Sequence, residues 1–271
     1  MRGKLIVMEG TDCSGKETQS KLLAKRLNEL GIETKVIGFP IYDSPTGRIF
    51  GACYLGKEEM CHRYLEGEMG WFKEGASNVD SMVASLYAAA DRKYNIDTIN
   101  KLLDDGVNVI LDRYVYSNMA HQACKEKNVE KRMEVIKKLH MLEFDILELP
   151  EPDITFLLYV PVEIANQLKK GRLEKADQHE RDLDYLNRAE ETYLILKELY
   201  GFNFIECTFN NKMRMIVTNF VRIALILIYI RGWITQDHSQ DFIIAITFFM
   251  TYYPSILAKR FGVYLPARLE I

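Results

Sequence analysis

Residues 4–18 read KLIVMEGTDCSGKET, and this stretch decides the fold. Its opening, KLIVM, is a short apolar run rich in branched side chains, the pattern of a strand buried on both faces of a parallel sheet. A turn with Gly10 and Gly15 follows. Beyond it Leu22, Leu23, Leu27 and Leu30 recur at helical spacing, and Gly31 stands where a helix C-cap is expected. Strand, glycine turn and helix in this order are the setting of a phosphate-binding loop. The glycines permit torsions that aim successive N–H groups inward, the new helix presents its positive end, and Lys16 adds a full charge near the β- and γ-phosphates. The candidate ATP-binding set is therefore Gly10, Cys13, Ser14, Gly15, Lys16, Glu17 and Thr18. One position departs from the pattern G-x-x-x-x-G-K-[ST]: the residue after the lysine is Glu17, with Thr18 one later. A helix turns about 100° per residue, so Thr18 does not replace the missing hydroxyl. Glu17 is the candidate to hold Mg²⁺ directly or through water.

Working outward, residues 34–38 (TKVIG) predict a second strand, stopped by Phe39-Pro40. Residues 78–103 contain a long helical pattern. Residues 107–111 (VNVIL), 154–160 (ITFLLYV) and 202–207 (FNFIEC) predict three more strands. Strands alternating with helices imply right-handed crossovers and an α/β fold, a five-stranded parallel sheet with helices on both faces. There is no internal repeat and no low-complexity linker.

The 271 residues suit one large domain, or a domain with an appendage. A hydrophobic fraction of 48% is enough to build a full core, which excludes disorder. Net charge is −3, so the chain as a whole is no nucleic-acid binder. From Lys212 onward seven basic residues face three acidic ones, so that tail carries +4 and the remainder −7. The five cysteines, Cys13, Cys53, Cys61, Cys124 and Cys207, are odd in number and widely spaced. That argues against a disulfide framework and against zinc, and for a reducing cytoplasm.

The third predicted strand runs into Asp112-Arg113-Tyr114-Val115-Tyr116-Ser117, with Gln122 downstream. A carboxylate at the C-terminal end of a parallel strand sits at the crevice where such sheets bind ligands. Asp112 is there a second candidate to orient Mg²⁺, and the forked donors of Arg113 suit phosphate. With both signals, the chain resembles the thymidylate kinase family of P-loop nucleoside monophosphate kinases. The block E-G-x-D-x-x-G-K-x-T-Q matches Glu9 to Gln19, and D-R-Y-x-x-S with A-x-Q matches Asp112 to Gln122. Phe39-Pro40 matches the family's F-P, and Asp177 to Glu180 with Tyr185, Leu186 and Tyr193 look like the segment after its lid. The resemblance covers about residues 1–211.

It implies transfer of the γ-phosphate of ATP to a nucleoside monophosphate, dTMP foremost, with Mg²⁺ as cofactor. It further implies that Asp12 bonds the sugar 3′-hydroxyl, Arg113 the acceptor phosphate and Arg92 the base edge. Ser117 and Gln122 would line the sugar and base pocket, with Phe39 and Tyr42 completing the monophosphate set. Where one family branch has an arginine in the loop, this chain has Cys13. The other branch supplies the basic group from a lid, here about 168–180, with Arg172 preferred. Lys16, Asp112, Arg113 and Arg172 are the expected catalytic set.

Three departures bear on the acceptor. Tyr42 replaces an arginine that commonly grips the acceptor phosphate two residues after F-P, leaving Arg113 alone or with Arg48. Four residues before Arg92, where a stacking aromatic is usual, stands Ala88, with Tyr87 one off. His121 replaces a common tyrosine. Another monophosphate, or a nucleotide-binding regulator impaired by Glu17, are the alternative readings. A GTPase is disfavoured because no N-K-x-D motif occurs. Residues 212–271 form an apolar C-terminal extension whose runs at 223–230 and 242–258 exceed the resemblance. Core helices, a dimer contact or a frameshifted sequence are preferred over membrane contact. A cytoplasmic homodimer is expected.

Overall fold

The first strand, β1 (Leu5–Glu9), is buried along its whole length, as an apolar run covered on both faces must be. It feeds helix α1 (Lys16–Glu29), then β2 (Thr34–Gly38). A short helix α2 (Pro45–Ile49) follows, N-capped by Ser44, whose Oγ accepts from Gly47 N at 3.0 Å. It runs into a π-helical turn, Phe50–Tyr54. The long helix α3 (Ser81–Asp104) starts where Asp80 accepts from Met82 N and Val83 N. Next come β3 (Asn108–Asp112), α4 (Val115–Ala123), α5 (Val129–His140), β4 (Ile154–Tyr159), α6 (Val162–Lys169), α7 (Leu183–Tyr200) and β5 (Asn203–Glu206). The computed structural model describes residues 2–57, 72, 75–169, 183–209 and 212–213.

The five strands form one parallel sheet in the order β2-β3-β1-β4-β5. The chain leaves β1 towards one edge for β2 and β3 and towards the other for β4 and β5. The connections therefore part at the C-terminal ends of β1 and β3, where a crevice opens. Register makes the two motifs meet there: Met8 pairs with Asp112, and Asp112 with Gly38. The ladder extends one step further, since Arg113 N donates to Met8 O at 3.0 Å. Ile6, Val7, Met8, Val109, Ile110, Leu111, Phe156 and Leu158 are fully buried and make the sheet's core.

The chain divides into two units, Met1–Thr218 and Asn219–Ile271. The second lies outside the described residues, and with it both apolar runs of the C-terminal extension. Cys61, Arg172 and nearly all of the candidate lid also lie outside them. Among the described residues, no helix is long and apolar enough to cross a membrane. Among the described residues, Cys124 and Cys207 are free thiols.

Candidate functional site

The turn after β1 is held open by backbone conformation. Gly10 (φ 149°), Cys13 (φ 61°) and Gly15 (φ 81°) all take positive φ. Gly10 is required twice over, because a Cβ there would lie 2.3 Å from Leu158 O. Helix α1 begins after Gly15 with no side-chain cap, so its opening N–H groups are left to bind an anion. Lys16 is 6% exposed and arches back over the turn, donating to Thr11 O at 2.8 Å and Ser14 Oγ at 3.4 Å. Burial first, and the nearby Arg113 guanidinium second, push its ammonium down to about 8. Asp12, Asp112 and Glu9 oppose that shift. Glu17 faces elsewhere: its carboxylate is 72% exposed and pairs with Lys21 at 2.5 Å, one turn along the helix. So exposed a pair is weak and holds Glu17 loosely, while Asp112 stands at the end of β3.

Beyond the turn lies a cleft of about 210 Å³. All seven residues expected to bind the monophosphate line it: Asp12, Phe39, Tyr42, Arg92, Arg113, Ser117 and Gln122. At its inner end Arg113, itself at φ 68°, pairs with Asp12. The Ser117 hydroxyl is already engaged, donating to Glu9 Oε2 at 2.5 Å and lying 2.9 Å from Tyr193 OH. Glu9 also accepts from Tyr114 N at 2.9 Å and Ser117 N at 3.1 Å. It thus caps α4 from a neighbouring strand, because Tyr114 offers no side-chain cap of its own. Burial raises the Glu9 carboxyl above its ordinary value, against the pull of Ser117 and Arg113.

At the far end Arg92 is not an isolated reader. Its Nε and Nη2 both donate to Glu143 at 2.5 Å, and the pair is buried at 5% and 0% exposure. Nη1 and the second N–H of Nη2 remain to reach a ligand. Glu143 Oε1 also accepts from Asn118 Nδ2 at 2.8 Å. A carboxylate can only accept, so this contact fixes the amide's orientation and leaves Asn118 Oδ1 buried without a partner among the described residues. Gln122 behaves alike: Nε2 donates to Tyr54 OH at 3.2 Å, and Oε1 has no partner among the described residues. Two unpaired carbonyl oxygens in one cleft invite a ligand that brings N–H or O–H donors.

The residues at and near the three departures fall differently about the cleft. Tyr87 packs edge-on against Phe72 at 5.8 Å and does not line the cleft; Ala88 does. Arg48 is exposed and outside it. His121 lines it, its Nδ1 3.1 Å from Tyr185 OH. Four residues carry more than their sequence context signalled. Glu9 and Asn118 lie inside the quoted motifs but carried no role. Glu143 is 51 residues from Arg92, and only the rule that a buried charge needs a partner would have sought it. Lys57 lines the cleft from a stretch without a motif.

The sequence model for thymidylate kinase matches residues 8–219. A probable thymidylate kinase of Methanocaldococcus jannaschii is 32% identical over 203 residues, covering 75% of this chain and 86% of its own. The thymidylate kinase of Mycobacterium tuberculosis H37Rv is 33% identical over 196 residues, covering 70% and 83%. The human thymidylate kinase is 28% identical over 180 residues, covering 66% and 69%. The solved structure of Candida albicans thymidylate kinase superposes with a TM-score of 0.60 at 23% identity, covering 83% of this chain and 92% of that one, which supports the fold.

Proposed function

Since the chain belongs to the thymidylate kinase family, we propose that it transfers the γ-phosphate of ATP to dTMP, giving ADP and dTDP, through the cleft beside the β1 turn. The observation that carries this reading is the convergence of all seven acceptor-side residues on one cleft that shares Asp12 with the phosphate-binding turn. The adjacent Asp12 and Arg113 suit a nucleoside 5′-monophosphate, whose 3′-hydroxyl and 5′-phosphate hang from one sugar ring. Asp12 accepts from the hydroxyl while Arg113 turns its fork to the phosphate. One of Asn118 Oδ1 and Gln122 Oε1 accepts from the base, whose single imide N–H satisfies a buried oxygen. Relatives named as kinases lend no support to a regulator without turnover.

In the transfer, an acceptor phosphate oxygen bonds to the γ-phosphorus as the bond to the ADP oxygen breaks. The acceptor is already an anion, so no strong base is needed. What the site contributes is alignment and cations. Lys16 and the opening amides of α1 hold the β- and γ-phosphates. Arg113 holds the acceptor in line, and Arg172 of the lid would close over the moving group. A hard carboxylate at a strand end beside the turn fits Mg²⁺, which keeps its waters and takes most ligands from nucleotide phosphates; Asp112 would hold it, directly or through water. When bound, that ion draws charge off the phosphate oxygens. The protein acts in the cytoplasm as a homodimer.

A coupled ADP-release assay with ATP, Mg²⁺ and single monophosphates tests the reading. Turnover with dTMP well above that with dUMP, dCMP, dGMP or AMP is expected, and Lys16→Ala should lower kcat at least a thousandfold, roughly the scale of one transition-state cation. No turnover of dTMP by the wild-type protein would refute it.

A further inference from the structure

We propose that Glu143 is a specificity-determining positioning residue: from behind the cleft, its one carboxylate fixes both the donor and the acceptor that read the base. This rests on the functional reading above. Arg92 and Asn118 both line the cleft and are both 4% exposed. They stand on different helices, α3 and α4. Glu143 is fully buried and is not among the described residues lining the cleft, so it acts through these two. Its Oε2 accepts from Arg92 Nε and its Oε1 from Arg92 Nη2, both at 2.5 Å. Oε1 also accepts from Asn118 Nδ2 at 2.8 Å. Reaching the same oxygen sets the two side chains next to each other. What Arg92 has left to offer are N–H groups. What Asn118 leaves without a partner among the described residues is Oδ1.

A donor beside an acceptor is the complement of a keto–imide edge, where a ring C=O stands next to an N–H, as in thymine. An amino base presents the reverse order, an exocyclic NH₂ next to a ring nitrogen that accepts. Arg92 cannot change sides, because a guanidinium only donates. Asn118 could, since half a turn of its amide exchanges Oδ1 for Nδ2. Glu143 forbids that rotation. A carboxylate only accepts, so Oδ1 brought against Oε1 would set two acceptors face to face in a buried site. The carboxylate is itself held in place. It sits on the π-helical turn Met141–Ile146, and Glu143 O accepts from Leu149 N at 3.0 Å. The ring of Phe144 packs 6.0 Å from that of Tyr116 on α4, and Lys93 Nζ of α3 donates to Leu147 O at 2.8 Å. The turn that carries the carboxylate is thus fastened to both helices that carry the reading groups.

The test compares dTMP with 5-methyl-dCMP, a pair alike in shape and methyl group that differ in this donor–acceptor order. Steady-state kinetics on the full chain gives the ratio of their kcat/KM values. The wild-type protein should favour dTMP by at least about a hundredfold, since the amino base leaves two buried groups unpaired. Glu143→Gln introduces an amide that can donate to Asn118 Oδ1 and so lets Asn118 turn; the ratio should fall by about tenfold or more. Glu143→Asp keeps an acceptor-only group and should hold the ratio to within about threefold of the wild type, even where both KM values rise. The KM for ATP should stay within about twofold in both variants, because the triphosphate binds at the turn after β1. A purely structural role would weaken both monophosphates together, so an unchanged ratio in Glu143→Gln overturns the proposal. So does a ratio in Glu143→Asp as low as that in Glu143→Gln. Equal use of the two monophosphates by the wild-type protein overturns it as well, and that measurement stands even where a variant fails to fold. All three results leave phosphorylation of dTMP in place; a wild-type protein that does not phosphorylate dTMP removes both readings.

Discussion

Lys16 is asked to do two incompatible things: to be buried, and to stay charged for a polyphosphate. Burial and Arg113 bring its ammonium down to about 8 in the folded protein. Activity should therefore fall on the alkaline side: kcat/KM for ATP, which reports the free enzyme, should decline as pH rises through about 8. Stability runs the other way. Between about 8 and the ordinary value of 10.5 the unfolded chain keeps a proton that folded Lys16 has lost, so the unfolded state binds more protons and this residue's contribution to stability grows with pH. A pH–rate profile alongside urea denaturation at pH 7 and pH 9.5 separates the two trends; an activity limb unchanged up to pH 10 would contradict the burial argument. Glu143 is the second residue whose environment dictates a result. Replacing it with Ala strands the Arg92 guanidinium and the Asn118 amide in a buried site, which should cost about 3–5 kcal/mol of unfolding free energy. Chemical denaturation measures that loss directly, and a shift under 1 kcal/mol would show that water takes the carboxylate's place.

Helix α4 shows how one element borrows its cap from another. Its N-terminus receives no hydrogen bond from its own Tyr114 side chain, and Glu9 at the end of β1 accepts from Tyr114 N and Ser117 N instead. Removing that carboxylate orphans two buried N–H groups and loosens the helix that bears Asn118 and Gln122. Glu9→Ala should lose about 2–4 kcal/mol of stability and lower kcat with dTMP. Glu9→Gln keeps an accepting oxygen and should restore most of the stability; if Ala and Gln behave alike in urea melts, the cap is not the reason. Elements of this kind were legible in the sequence to different depths. Residues 4–8 were read as a strand, and Leu5–Glu9 is one, because an apolar run covered on both faces needs no partner to announce itself. The edge strand β5 is shorter than the run 202–207 suggested, since two of its four residues face solvent. That β3 lies between β1 and β2 was not legible, because periodicity reports which face is buried and not which neighbour buries it. The same limit hid the contacts that build the site. Glu9 and Ser117 are 108 residues apart, and Lys57 reads as an ordinary surface lysine until the fold brings Tyr42 beneath it.

At the scale of the whole molecule the question is how much chain the chemistry needs. The family match stops at residue 219, and the division into units falls between Thr218 and Asn219. The resemblance read from the motifs ended near residue 211. All five strands of the sheet and every described residue lining the cleft lie before these boundaries. We propose that residues 212–271 are an appendage which the transfer reaction does not require. A chain ending at Thr218 should then fold cooperatively and phosphorylate dTMP with kcat and KM within about threefold of the full-length protein, because no group assigned to phosphate, sugar or base has been removed. Residues 219–271 carry five basic and three acidic side chains, a charge of +2 against −5 for the rest, so their loss should also move the isoelectric point down, which isoelectric focusing checks independently of activity. A truncated chain that aggregates or loses turnover would mean that the apolar runs at 223–230 and 242–258 cover part of the kinase unit. The boundary would then belong at the C-terminus of the chain instead of at residue 218.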